Sequence, residues 1–203
     1  MPSKSDLIIE PVALPEDGLD EPIDLNALFN NDLPVEVEIG SGKGTFLVRE
    51  ASRRTDVNFL GIEWARFYWR STCDRLRRNG LGDRVRMARA DASVFMRDHI
   101  ADASVAAFHV YFPDPWPKAR HNKRRLIQPP FLQTVRRCLV DGGTVRAVTD
   151  HPDYAEQIEA VFKAGPLRVD RCRRGTDPVV ETNFENKYRE EGRTFLDVIA
   201  TKI

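Results

Sequence analysis

Strand-like and helix-like segments alternate along most of this chain, and this alternation constrains its fold more than any other feature. Short runs of apolar and β-branched residues predict seven strands, at 35–39, 57–63, 84–90, 105–112, 144–148, 167–172 and 194–200. Apolar residues at helical spacing predict helices between them, near 46–51, 65–76, 129–139 and 154–162. Strands that alternate with helices favour a parallel sheet. The expected fold is therefore α/β, with a mostly parallel seven-stranded sheet and helices on both faces.

The charge distribution divides the chain into an acidic arm and a basic domain. The chain has 31 basic and 31 acidic residues, but residues 1–36 contain nine acids and one base. Residues 1–30, with four prolines and no periodicity, are expected to form an extended or weakly ordered arm. Residues 31–203 are expected to form one folded, basic domain. A net charge of zero therefore does not exclude a nucleic-acid partner.

Several classes of protein are disfavoured by composition. No apolar run reaches the ~18 residues of a transmembrane helix, and the acidic N-terminus lacks the pattern of a secretory signal. Cys73, Cys138 and Cys172 are too widely spaced for a zinc motif or a disulfide framework. We expect a cytoplasmic protein with no metal and no membrane or protein partner, either a monomer or a homodimer.

A glycine-rich turn follows the first predicted strand. Glu38 precedes Gly40, Gly42 and Gly44 at regular spacing. The third glycine comes one residue too early for a dinucleotide fingerprint, and Lys43 lacks the following Ser or Thr of a phosphate-binding P-loop. The spacing resembles the nucleotide loop of class I AdoMet-dependent methyltransferases, with their Rossmann-like fold. A plain glycine-rich turn is the alternative interpretation.

Acidic residues also end the second and third predicted strands. Glu63 is placed to accept hydrogen bonds from ribose hydroxyls, as the equivalent acid does in dinucleotide-binding folds. Asp91 ends the third strand, and the methyltransferase resemblance implies that it faces the adenine. Open α/β sheets bind ligands at the carboxyl ends of their strands. Together with Glu38, these acids predict a cofactor site, although each alone is an ordinary surface carboxylate.

A proline-pinned loop, residues 112–118, follows the fourth predicted strand. Prolines on both sides fix Asp114, and Trp116 lies two residues further on. A rigid carboxylate can accept two N–H donors from the Watson–Crick edge of guanine while an aromatic ring stacks on the base. Composition alone slightly favours the alternative, a proline turn around a buried tryptophan.

A basic segment follows this loop. Residues 117–137 contain seven Lys or Arg residues and no acid. Because the next helix is predicted to begin near Pro129, the basic segment is expected to be a loop. Beside the candidate site, its cations are expected to bind a phosphate backbone, whereas an isolated charge run is usually solvated surface. After the fifth strand, Asp150 or His151 is expected to cap the next helix.

Together these motifs resemble the TrmB family, the bacterial tRNA (guanine-N7-)-methyltransferases, over about residues 33–203. The most specific element is Phe112-Pro-Asp-Pro-Trp-Pro-Lys with the basic segment behind it. The resemblance implies that AdoMet methylates N7 of a guanine in the tRNA variable loop, leaving S-adenosyl-L-homocysteine. It implies Asp114 as the active-site residue. The family usually has a basic residue where this chain has Asn183.

The resemblance also implies the roles of individual residues. Those implied to bind AdoMet are Glu38, Gly40, Gly42, Glu63, Asp91 and Asp114. Those implied to contact the substrate guanosine are Lys118, Asp150, Thr182, Asn183, Phe184 and Glu185. Those implied to bind RNA are Arg120, His121, Asn122, Lys123, Arg124 and Arg125.

Three alternatives remain at this point. An enzyme that methylates a base amino group would have the aromatic residue one place later than Trp116. A non-catalytic RNA-binding module on the same fold would be expected to lose the glycine loop or the strand-end acids. A small-molecule methyltransferase gives no role to the basic segment.

Overall fold

In the computed structural model, residues 7–16, 18–19, 22–176 and 191–203 are described. The chain divides into two compact units, Met1–Ser104 and Val105–Ile203. The expected boundary between the arm and the domain at residue 30 stays a prediction. No helix in the described part of the chain is both long and apolar enough to cross a membrane.

Within the first unit, the described residues form three strands and four helices. The strands are β1 (Val35–Ile39), β2 (Asn58–Ile62) and β3 (Val85–Ala88), and the helices are α1 (Leu25–Phe29), α2 (Thr45–Arg53), α3 (Arg66–Arg78) and α4 (Ala92–His99). The strands pair in parallel, with β2 between β1 and β3. Every residue of β1 and β2 is buried, as is typical of parallel strands covered on both faces, although β1 includes Glu36 and Glu38. The carboxyl ends of these strands carry the glycine turn and the predicted acids.

The predicted helical stripe of α3 is confirmed. Trp69, Cys73 and Leu76 are buried, and the Trp69 indole N–H donates to the Met87 carbonyl at 3.2 Å. Helices α1 and α4 were not predicted. Both begin at an aspartate cap, Asp24 and Asp91 respectively.

The described part of the acidic arm packs onto the first unit. Val12 and Leu14 are buried, and Met87 of β3 exchanges backbone hydrogen bonds with both residues. Ile23 and Phe29 are also buried. The expectation of an extended or weakly ordered arm did not include this apolar packing.

The described residues of the second unit form four strands, two α-helices and a 3₁₀ helix. In chain order these are β4 (Val105–Tyr111), the 3₁₀ helix (Ala119–Arg124), α5 (Pro129–Cys138), β5 (Leu139–Thr149), α6 (Pro152–Lys163), β6 (Arg168–Gly175) and β7 (Phe195–Thr201). Strand β5 is parallel to β4, whereas β7 is antiparallel to both β5 and β6. With seven strands in a mixed arrangement, the predicted α/β class is confirmed.

One strand boundary in the second unit differs from the prediction. Strand β5 begins at Leu139 rather than at the predicted residue 144, so Asp141, Gly142 and Gly143 lie inside it. Leu139 pairs with Val105, and a register shift before Ala107 accommodates the extra residues. Gly142 has a φ of 78°, and its N–H donates to the Lys202 carbonyl. The glycines therefore form an irregularity within the strand.

Candidate functional site

The glycine turn of the first unit needs glycine for two different reasons. Gly40, Gly42 and Gly44 have φ values of 78°, 50° and 67°, a region that L side chains rarely adopt. At Gly44 an added Cβ would also lie 2.4 Å from Cγ2 of Thr72. At Gly40 no atom lies within 4 Å of that position, and at Gly42 the nearest is at 4.0 Å. Packing therefore requires Gly44, whereas open space beside Gly40 and Gly42 leaves the backbone accessible to a ligand.

Glu38, at the end of β1, carries a buried and unsatisfied carboxyl group. The residue is 4% exposed, and its Oε2 makes no hydrogen bond among the described residues. Burial raises the pKa of Glu38 to about 8 and the Glu63 carboxylate adds to the rise, while the Ser41 hydroxyl and Arg49 lower it in part. An unpaired buried acceptor is costly. A ligand that brings N–H donors or positive charge would satisfy it.

Glu63, at the end of β2, holds the glycine turn in place. Its Oε2 accepts a hydrogen bond from the Gly42 N–H at 2.8 Å, and its Oε1 accepts one from the Ala65 N–H at 2.7 Å. Each carboxylate oxygen can accept a second hydrogen bond. The contact with ribose hydroxyls stays a prediction.

Asp91 caps helix α4. Its Oδ1 accepts hydrogen bonds from the N–H groups of Ser93 at 2.9 Å and Val94 at 3.1 Å, and the residue is exposed. The predicted contact with adenine is not tested by this capping role. An aspartate directly before an apolar segment is the signal that could have revealed the helix.

The proline loop of the second unit is conformationally constrained. Phe112 and Trp116 have φ values of 51° and 44°, which is unusual for bulky residues and marks a strained backbone. The Phe112 N–H donates to the Val148 carbonyl at 2.8 Å, and its ring packs edge-on against Phe195 at 5.8 Å. Asp114 lies between the strained residues and is exposed. The loop therefore presents a carboxylate from a fixed backbone.

The basic segment, predicted as a loop, contains the 3₁₀ helix Ala119–Arg124. Side chains three residues apart share a face of such a helix. Arg120 and Lys123 are exposed. His121 and Arg124 both contact the Trp116 ring, with centroid distances of 5.9 Å for His121 and 5.0 Å for the Arg124 guanidinium. This ring, predicted to stack on a base, thus already contacts two side chains of its own chain.

Arg125, for which the sequence predicts an RNA contact, has a buried guanidinium. The residue is 3% exposed. Its Nε donates to the Pro115 carbonyl at 2.7 Å, its Nη1 donates to Oε1 of Gln157 at 2.8 Å, and its Nη2 donates to Asp153. The guanidinium also lies over the Tyr154 ring at 4.9 Å. Its hydrogen bond lowers the pKa of the Asp153 carboxyl.

The side chain of Asn122, which is also predicted to bind RNA, is only partly exposed. Its Oδ1 is buried without a hydrogen bond. Its backbone carbonyl accepts a hydrogen bond from the Gln128 side chain at 3.0 Å. Direct recognition of RNA by Asn122 stays a prediction.

The remaining predicted substrate residues are placed as follows. Lys118 is exposed directly before the 3₁₀ helix. Asp150 accepts a hydrogen bond from Nη1 of Arg193 at 2.7 Å, while His151 caps α6 by accepting from the Tyr154 N–H at 3.4 Å. The residues Thr182, Asn183, Phe184 and Glu185 lie outside the described residues.

Sequence reasoning missed several partners of the candidate residues. Arg193 pairs with Asp150 from 43 positions away, and Gln157 pairs with Arg125 from 32 positions away. No local sequence pattern indicates either pair. The sequence also assigned no role to Trp64, which directly follows Glu63 and is 69% exposed.

Comparison with known proteins places these features in context. A family model described as "Putative methyltransferase" matches residues 32–198. The chain is 38% identical over 198 residues to a tRNA (guanine-N(7)-)-methyltransferase of Nocardia farcinica, covering 91% of this chain and 73% of that protein. It is 41% identical over 181 residues to the protein of that name from Bordetella pertussis, covering 88% of this chain and 71% of that protein.

Solved structures show the same fold at much lower sequence identity. The antibiotic-resistance methyltransferase Kmr matches with a TM-score of 0.62 and 18% identity, covering 89% of this chain and 92% of that one. A geranyl diphosphate C-methyltransferase from Streptomyces coelicolor, solved with S-adenosyl-L-homocysteine, matches with a TM-score of 0.60 and 15% identity, covering 84% of this chain and 70% of that one. These two structures support the fold class.

Proposed function

The chain belongs to the family of tRNA (guanine-N7-)-methyltransferases, and from that premise we propose that it transfers the methyl group of AdoMet to N7 of a guanine in the tRNA variable loop. The observation that carries this proposal is the identity of 36–41% over about nine-tenths of the chain with relatives of that name. The product of the cofactor is S-adenosyl-L-homocysteine. A cytoplasmic location belongs to the same proposal, because the substrate is tRNA.

The first unit fits AdoMet. AdoMet supplies a methyl group activated by a positively charged sulfur. The open space beside Gly40 and Gly42 leaves the turn accessible, and the unsatisfied Glu38 carboxyl suits a ligand with an amino group. Glu63 and Asp91 are proposed to contact the nucleoside part, because each keeps acceptor capacity beyond its backbone hydrogen bonds.

Asp114 is proposed to orient the guanine, and by family resemblance it also lines the AdoMet pocket. Guanine N7 carries a lone pair and no proton, so the transfer needs no general base. Most of the rate enhancement should then come from positioning and desolvation. The purine becomes cationic as the methyl group arrives, and a carboxylate held near the base stabilises that charge. Asp114 is exposed on a constrained loop, as this role requires.

The exposed cations of the second unit are proposed to bind the RNA backbone. Arg120, Lys123 and Arg124 are exposed on the 3₁₀ helix, and Lys118 is exposed directly before it. Each phosphate contact releases counterions, so tRNA affinity should fall steeply with salt. His121 is proposed to contribute to the same RNA-backbone binding. Asp150 is proposed to contact the substrate guanosine.

The decisive experiment is to incubate the protein with methyl-labelled AdoMet and bulk tRNA and then map the modified base. We expect label at N7 of a variable-loop guanine, detected as strand cleavage after borohydride and aniline treatment. Label on ribose or on an exocyclic amine would contradict the proposal. AdoMet binding in a calorimetric titration without any transfer would instead favour the non-catalytic RNA-binding module.

A further inference from the structure

We propose that Arg125 is a positioning residue that holds the Asp114–Trp116 segment for methyl transfer. The inference rests on the proposed function, in which Asp114 contacts the guanine. It offers an alternative to the RNA contact that the sequence predicts for Arg125. Three hydrogen bonds from the buried Arg125 guanidinium carry the inference.

The proline loop cannot hold itself in place through a backbone ladder. Three prolines, at positions 113, 115 and 117, remove three N–H donors from the segment. The Pro115 carbonyl accepts a hydrogen bond from Nε of Arg125 at 2.7 Å. This carbonyl belongs to the peptide group that joins Pro115 to Trp116. Arg125 therefore fixes the plane of the second peptide group after Asp114.

The other side of the guanidinium is anchored to α6. Nη1 donates to Gln157 and Nη2 donates to Asp153. The same helix binds the chain just beyond Arg125: the Tyr154 hydroxyl accepts from the Ile127 N–H at 3.0 Å, and Gln157 donates to the Ile127 carbonyl at 3.1 Å. A regular helix thus serves as the rigid support for the arginine.

The 3₁₀ helix adds a second hold on the loop. His121 and Arg124 contact the Trp116 ring, and the helix carrying them ends directly before Arg125. Trp116 has a φ of 44°, and such a conformation persists only where the surroundings enforce it. Loss of the Arg125 clamp should let this backbone relax and displace Asp114.

The chemistry of the clamp specifically requires arginine. Three different nitrogens of one planar group donate to three acceptors, one in the proline loop and two on α6. A lysine ammonium is a single point charge on a flexible stem and cannot reproduce this fork. A lysine does, however, bind a phosphate. Arg125→Lys therefore separates a positioning role from an RNA contact.

The test compares Arg125→Lys and Arg125→Met with Lys123→Ala, which removes an exposed cation of the 3₁₀ helix, and with Arg146→Lys. Arg146 is a matched structural control, because its Nε and Nη2 donate to Asp197 at 2.9 and 3.2 Å within the same unit. For each variant, kcat, the tRNA KM, the salt dependence of tRNA affinity, the AdoMet Kd and Tm are measured.

We expect both Arg125 variants to lower kcat by about 10- to 100-fold, because a displacement of about 1 Å can cost that much. Their tRNA KM and AdoMet Kd should stay within about twofold of the wild-type values. The salt slope, meaning the slope of log tRNA affinity against log salt concentration, should stay close to that of the wild type. Lys123→Ala should instead raise the tRNA KM and make the logarithm of tRNA affinity fall less steeply with the logarithm of salt concentration, by about one unit of slope. Arg146→Lys should lower Tm and leave kcat unchanged.

Two kinetic results would overturn the inference. One is a raised tRNA KM and a reduced salt slope in Arg125→Met that Arg125→Lys restores, since that pattern identifies a phosphate contact. The other is that Arg125→Lys loses no more kcat than an Arg146 variant whose Tm is lowered to the same value. That result would identify a purely structural role for Arg125.

A spectroscopic readout separates this inference from the proposed function. The chain has three tryptophans, so ¹⁹F NMR of protein labelled with 5-fluorotryptophan should give three signals, and Trp116→Phe assigns one of them. We expect Arg125→Lys to shift or broaden the Trp116 signal and to leave those of Trp64 and Trp69 in place. An unchanged Trp116 signal would overturn the clamp even in an active enzyme. A wild type that does not methylate tRNA would overturn the proposed function while this readout still tests the clamp.

Discussion

Replacing Glu38 by glutamine should change how the stability of the protein depends on pH. The Glu38 carboxyl is buried, and its Oε2 lacks a hydrogen bond. Burial raises its pKa from 4.5 to about 8. Between these values the folded protein binds a proton that the unfolded chain has released. Its free energy of unfolding therefore falls as the pH rises from the unfolded toward the folded pKa, and glutamine, which does not titrate, removes that fall.

The size of the effect follows from the shift in pKa. At about 1.4 kcal/mol per unit, a change from 4.5 to about 8 corresponds to a ceiling of about 5 kcal/mol. Between pH 5.5 and pH 7.5, the wild type should lose roughly 3 kcal/mol relative to Glu38→Gln. For a chain of this length, that loss corresponds to a relative decrease in Tm of roughly 6–12 °C.

Thermal and urea denaturation at pH 5.5, 6.5 and 7.5, without AdoMet, measures the difference. Glu156→Gln is the matched control, because it makes the same chemical change at an exposed position of α6, and it should follow the wild type at every pH. If the difference between the wild type and Glu38→Gln stays constant across this range, Glu38 does not change its protonation on folding. The account of a neutral buried carboxyl would then be refuted.

Three further predictions concern the two units. Gly44→Ala should lower Tm strongly because its Cβ meets Thr72, whereas Gly40→Ala should cost about 1 kcal/mol of backbone strain and mainly weaken AdoMet binding. Scanning fluorimetry measures the Tm of each variant and calorimetric titration measures its AdoMet affinity. Equal Tm losses in the two variants would contradict the distinction. Glu63→Gln turns one acceptor in the glycine turn into a donor facing a backbone N–H, so it should cost about 1–3 kcal/mol of stability and weaken AdoMet binding measurably; unchanged binding would refute that role. Asp114→Asn should leave Tm and the AdoMet Kd nearly unchanged and lower kcat at least about tenfold; a wild-type rate that rises with one ionisation near pH 7 would indicate a general base instead.

The elements that the sequence predicted correctly are those whose signals are local. Short runs rich in β-branched and other apolar residues identify β1 and β2, and the spacing of Trp69, Cys73 and Leu76 identifies α3. The glycine turn is recognisable because neighbouring residues set its backbone conformation. Helix α4 was missed because Val94, Phe95 and Met96 are adjacent and give no helical spacing. The start of β5 was missed because pairing with β4, rather than any local pattern, extends it past Gly142.

The candidate site shows the same division between local and long-range information. The sequence alone identifies Glu38 as an acidic residue at the end of β1, next to the glycine turn. Its protonation depends on burial and on the absence of a partner for Oε2, which are properties of the packed unit. The sequence likewise identifies Asp114 between prolines, whereas only the structure shows Phe112 and Trp116 with positive φ.

The adjacent residues Arg124 and Arg125 show the limit most clearly. The sequence determines that a dense basic segment follows the proline loop, and it determines the family to which the chain belongs. It does not distinguish two neighbouring arginines of the same charge. Only the tertiary structure decides that Arg124 is exposed over Trp116 while Arg125 is buried between Pro115 and α6. The physical reason is that a guanidinium can be buried only where acceptors surround it, and here those acceptors come from positions 10 to 32 residues away.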